Sequence, residues 1–134
     1  MKITIQIPPT TKKNSQQIVW KNGRPIIIPS AKYKMYERQA RAFLTPVSSP
    51  INYPVNVKCL YYMPTRRRVD LVNLQECTLD VLVKYGVLED DNSKIVVSMD
   101  GSRVLYDKKN PRTEVIIESI ENDTAGNETN TDKK

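Results

Sequence analysis

The chain has 134 residues, 39% of them hydrophobic and 27% charged, a balance that fits one globular domain with a single core rather than a disordered or membrane-spanning chain. Histidine is absent, which excludes Ser-His-Asp and Cys-His nucleophiles and His-based zinc sites, and Cys59 and Cys77 lie too far apart for a C-x-x-C cage. The net charge of +6 is unevenly spread: residues 1–69 hold 13 Lys/Arg against the single acid Glu37, whereas residues 70–134 hold 8 against 14 acids. A basic half of that size attracts polyanions, and an acidic half beside it repels them unless its carboxylates bind metal or face away.

Residues 2–7 alternate, with Ile3, Ile5 and Ile7 on one face, and Pro8-Pro9 stop this first predicted strand because proline donates nothing to a ladder. The same alternation differs from a signal-peptide core, and no apolar run is long enough to span a bilayer, so the expected location is the cytoplasm. A polar loop over residues 10–17 leads to residues 18–21 and 24–28, which flank Asn22-Gly23, a dipeptide suited to the positive φ angles of a two-residue hairpin turn. Ser30 is placed to cap a helix running to about residue 44, with an apolar stripe of Tyr33, Tyr36, Ala40 and Phe43 and a basic line of Lys34, Arg38 and Arg41.

After a loop over residues 46–54, a strand is predicted for residues 55–63, with Val55, Val57, Cys59, Tyr61 and Met63 pointing one way. A second helix follows over residues 73–85, ended by Gly86 as a left-handed cap, and then an acid-rich turn over residues 87–91. Residues 94–99 and 113–120 read as closing strands, joined by a loop with a bend at Asp100-Gly101. Residues 122–134 hold too few apolar side chains to pack and read as a disordered polar tail, leaving residues 1–121 as one domain. The order of elements predicts a small α/β (α+β) domain with a mixed β-sheet and two main helices.

Chemistry concentrates in the stretch from Arg66 to Asp91, where Arg66, Arg67 and Arg68 are followed at once by Asp70 and an acidic helix. At about 100° per residue, Asn73, Glu76 and Asp80 share one helix face, while Leu74, Thr78, Val81 and Tyr85 share another. A hairpin-like return after the helix is expected to carry Asp90 and Asp91 back toward Asp70. Gathered carboxylates repel one another unless a divalent cation offsets their charge, and an all-oxygen set selects Mg²⁺, with Mn²⁺ as the alternative. A solvated helix face with an acidic turn is the plain structural alternative.

This stretch resembles the RusA family of Holliday-junction resolvases, whose signature reads roughly R-R-R-x-D-L-D-N-L-x-K, then D-x-L, then D-D. Arg66, Arg67, Arg68, Asp70, Leu71, Asn73, Leu74, Asp80, Leu82, Asp90 and Asp91 match it in order. The likeness also takes in the first strand with Pro8-Pro9, the polar Lys12-Lys13-Asn14-Ser15 loop and the closing strands. It implies a homodimeric, metal-dependent endodeoxyribonuclease that resolves four-way junctions by paired incisions, in DNA recombination and repair or in prophage replication. Asp70 and Asp91 carry over as metal ligands and Asp90 joins them, with Asn73 and Asp80 in support. A two-fold dimer would present matched sites to two like-oriented strands.

Two positions depart from the signature. Val72 replaces its second aspartate and Glu76 its lysine. Residues four apart share a helix face, so the Glu76 carboxylate is expected to project where the missing acid would have stood, as a catalytic and metal-binding residue. The cation's place then falls to Lys84 or to Arg66, Arg67 and Arg68. Lys12, Lys13 and Asn14 are assigned to phosphate contact, and Trp20 and the tyrosines to the core or to stacking on unpaired bases. A non-catalytic protein that binds branched DNA through a decayed site is the competing expectation.

Overall fold

The structure is a computed structural model that describes residues 1–12, 16–29 and 31–120. In chain order its elements are β1 (Lys2–Ile5), β2 (Gln16–Lys21), β3 (Arg24–Pro29), α1 (Ala31–Ala40) with a 3-10 turn (Arg41–Phe43), β4 (Val55–Met63), α2 (Leu71–Lys84), β5 (Val96–Ser98), β6 (Arg103–Tyr106) and β7 (Arg112–Ser119). Five strands make one mixed sheet in the order β1-β7-β4, with β5 and β6 both added along the far edge of β4. The pairs β1–β7 and β7–β4 are antiparallel, and β5 and β6 run parallel to β4. The α/β reading with two main helices is therefore the observed architecture.

Strand β4 organises the core because its sequence alternates. Val55, Val57, Cys59 and Tyr61 are buried on one face, and α2 packs there with Leu74, Cys77, Thr78, Val81 and Leu82. A parallel partner following a strand requires a crossover, and α2 supplies it by running back antiparallel to β4. The pairing across this layer is specific: the Tyr61 hydroxyl donates to Thr78 Oγ1 at 2.7 Å, and Thr78 donates to the Leu74 carbonyl at 3.0 Å, so two buried hydroxyls are satisfied in sequence. Burial holds the Tyr61 phenol protonated and pushes the Cys59 thiol up to about 11.

Helix α2 ends as the Gly86 signal predicted. Gly86 has φ +78°, its N–H donates to the Val83 carbonyl and that of Val87 to the Leu82 carbonyl, the paired bonds of a Schellman cap. Asn22 and Gly23 likewise take positive φ values of 53° and 73°, closing β2 onto β3 as a two-residue hairpin.

The differences are instructive. Strand β1 stops at Ile5, two residues earlier than the alternation suggested, and α2 begins at Leu71, two residues earlier than expected. The expected strand over residues 94–99 shrinks to β5, because Asn92 turns the chain by accepting from the N–H groups of Ile95 and Val96. Strand β6 lies inside what reads as a loop: four residues are too few to show a period, and only the edge of β4 makes them a strand. Ser30, Lys13, Asn14 and the tail expected over residues 122–134 lie outside the described residues.

Candidate active site and nucleic-acid interface

Asp70 occupies the cap position of α2, with extended backbone (φ −86°, ψ 123°) and its carbonyl accepting from the Leu74 N–H. Its carboxylate makes no capping bond to the helix backbone. Instead Asn73 Nδ2 donates to Asp70 Oδ2 at 3.3 Å.

The three arginines diverge. Arg66 stacks on Tyr106 of β6, 4.2 Å from the ring centroid, whereas Arg67 and Arg68 line an open cavity of about 520 Å³. Pro8, Pro9, Thr10 and Thr11 form another wall, Lys32 of α1 a third, and Val69 and Leu74 place the start of α2 at its margin. A cationic cleft thus opens beside Asp70, suited to a phosphate. Lys32, Thr10 and Thr11 were not singled out from the sequence. They reach the cleft only because the loop after β1 and the first turn of α1 fold beside the end of β4.

Two of the sequence-predicted cations are paired within the chain. Lys12 Nζ donates to Asp80 Oδ2 at 2.9 Å, and the Lys12 N–H donates to Cys77 Sγ at 3.3 Å, so this loop residue is anchored on α2. The Asp80 carboxylate raises the Lys12 ammonium above its ordinary value. Lys84 donates to Glu37 of α1 at 2.6 Å and is likewise raised by that partner. Both pairs tie α2 to its surroundings, Asp80 to the loop after β1 and Lys84 to α1.

Val72 is 69% exposed, and Glu76 stands exposed one turn further along the same face of α2. Because α2 begins at Leu71, both positions lie within the helix and face outward.

Asp90 and Asp91 are exposed, but the return after α2 does not carry them to Asp70. Residues 87–89 bond to Ile51, and the Ile95 carbonyl accepts from Val55, so this segment lies against the beginning of β4. Asp70 follows the end of β4. The two are separated by the length of α2, whose 14 residues span about 20 Å. The expectation of one gathered cluster fails because a parallel crossover must return the chain to the end of the sheet where β4 began. Among the described residues, no three His, Cys, Asp or Glu side chains stand close enough to hold a metal ion. Asp90 is also turned inward on its own loop: Oδ1 accepts from the Asp91 N–H at 2.8 Å and Oδ2 from Asn92 Nδ2 at 3.0 Å, and these bonds lower its pKa from the usual carboxylate value.

A basic cleft thus lies near the aspartate that starts α2, and a second acidic turn lies at the opposite end of that helix. The family described as endodeoxyribonuclease RusA matches residues 6–118. The chain belongs to the RusA endodeoxyribonuclease family. The match runs from just after β1 to the penultimate residue of β7 and includes both acidic segments. No curated protein sequence matches the chain. The family supports nuclease action on DNA junctions. Among the described residues, no helix is long and apolar enough to cross a membrane.

Proposed function

We propose that the chain is a divalent-metal-dependent endodeoxyribonuclease that cuts four-way DNA junctions as a homodimer. The observation that carries the reading is the cleft lined by Arg67, Arg68 and Lys32 opening beside Asp70. In it the cations hold the backbone phosphate, and Asp70, hydrogen-bonded by Asn73 at the start of α2, stands next to Val69 at the margin of the cleft. Magnesium or manganese, when bound, would polarise the scissile phosphate and activate water. Magnesium is commonly held by a few carboxylates together with substrate phosphates, so the site asks for Asp70 and a small number of further acids rather than a closed cage.

Topology limits where those further acids come from. Asp91, with Asp90 behind it, lies about a helix length from Asp70 in its own chain, so it serves Asp70 only from a second copy. Two copies that meet with their α2 helices antiparallel bring the start of one helix to the end of the other, and two-fold symmetry makes two such sites. Glu76, in place of the acid lost at Val72, supplies the remaining carboxylate from the same helix as Asp70. Lys12, Lys13, Asn14 and Arg66 extend the phosphate track, with Lys84 holding α1 against α2.

The test is cleavage of a synthetic four-way junction and a linear duplex with EDTA, Mg²⁺ or Mn²⁺, by wild type and Asp70→Asn. Paired nicks in the junction alone, dependent on metal and absent in the mutant, are the expected result. Tight junction binding without cutting in any metal would instead mark a decayed site, the reading that Val72 favours.

A further inference from the structure

The β2–β3 hairpin is the one described element pair that joins no other strand, and two strands alone are marginal in water. It nevertheless exposes five large apolar side chains: Ile18 (67%), Val19, Trp20 (70%), Ile26 and Ile27 (64%). The register places Ile18 opposite Ile27 and Trp20 opposite Pro25, so these four share one face, the more open of the two. An apolar ribbon of this kind marks a contact surface.

Three observations on the ribbon point to DNA as its occupant. Its tip carries exposed Lys21 and Arg24 on either side of the turn, and Glu37 is the first acid in the chain, so the approach to a polyanion is unopposed. Thr11, upstream of the hairpin's base, and Lys32, downstream of it, both line the cleft. Six residues of extended strand reach about 20 Å from that base, roughly the width of a DNA duplex. Trp20 is the sole tryptophan, and an exposed indole stacks on any base without regard to sequence.

We propose that the β2–β3 hairpin is a wedge that seats Trp20 among unstacked bases at a DNA branch point, while its base stays at the cleft beside Asp70. This rests on the junction-nuclease reading for the identity of the substrate, and it assigns the branch selectivity to Trp20. Linear duplex offers no open step, so the cationic cleft alone serves it.

The experiment uses the full chain in EDTA with a four-way junction carrying 2-aminopurine at the crossover, and a duplex of the same arm sequence. Wild type should raise the 2-aminopurine emission and quench the Trp20 fluorescence on the junction only. Trp20→Ala should weaken junction binding by about 5- to 150-fold, the range for losing one base stack, remove the 2-aminopurine signal and leave duplex binding within about twofold. Trp20→Phe should retain most of both junction effects. Unchanged junction affinity or an unchanged 2-aminopurine signal in Trp20→Ala overturns the proposal. So does a shift of that variant from dimer to monomer in light scattering, which would assign the ribbon to a second copy. Wild type that binds and opens the junction yet never cuts it refutes the nuclease reading alone and supports the wedge. Wild type that does not distinguish junction from duplex overturns the wedge.

Discussion

Mixed dimers of Asp70→Asn and Asp91→Asn chains decide whether the two aspartates act in one copy or between copies. Two carboxylates sharing one Mg²⁺ each place an oxygen about 2.1 Å from it, so their oxygens stand within roughly 4 Å of each other. Helix α2, with 14 residues, separates the two ends of the crossover by about 20 Å, and the shortfall of some 15 Å exceeds what side chains make up. Each mutant alone should be inactive. A mixed dimer isolated through two different tags pairs intact Asp70 of one chain with intact Asp91 of the other, while its second site carries both lesions. It should nick the junction at about half the wild-type rate, one of two symmetric sites being whole, and the nicks should be unpaired. Mixed dimers as inert as either parent would refute the reasoning and return both ligands to a single chain.

Three further outcomes follow from the geometry. Glu76→Gln should abolish Mg²⁺-dependent cleavage while leaving junction binding in EDTA unchanged, and restoring an acid with Val72→Asp should recover activity in that background; retained activity in Glu76→Gln alone would remove Glu76 from the site. Tyr61→Phe should cost about 1 kcal/mol of stability in denaturant unfolding, because it removes the donor to Thr78 from a buried relay while leaving the bond from Thr78 to Leu74. The Arg112 guanidinium beside Asp107 holds that carboxyl below its usual range, at 2.9 Å. A depressed folded pKa means the stabilisation is complete above about pH 4 and lost as pH falls through the lower folded value. The melting temperature of wild type should therefore drop more steeply below pH 4 than that of Asp107→Asn.

Much of the fold was legible because its cues are local. The alternation of β4 from Val55 to Tyr61, the Asn22-Gly23 turn and the Gly86 cap depend on neighbours within a few residues, and each appears where the sequence reading put it. The family was equally legible, since Arg66 to Asp91 carries its pattern in linear order and the match over residues 6–118 bears that out. What the sequence could not supply was direction. Whether an acidic turn after a helix comes back to the start of that helix depends on whether the next strand runs antiparallel or parallel to the last. The pairing of β5 and β6 with β4 decides it. The same tertiary step makes a strand of β6, draws Lys32 and Thr10 to the cleft beside Asp70, and commits Lys12 and Lys84 to Asp80 and Glu37. Residue types and their spacing determined which chemistry the chain can perform. Long-range pairing, invisible to any local period, decided which of those residues meet.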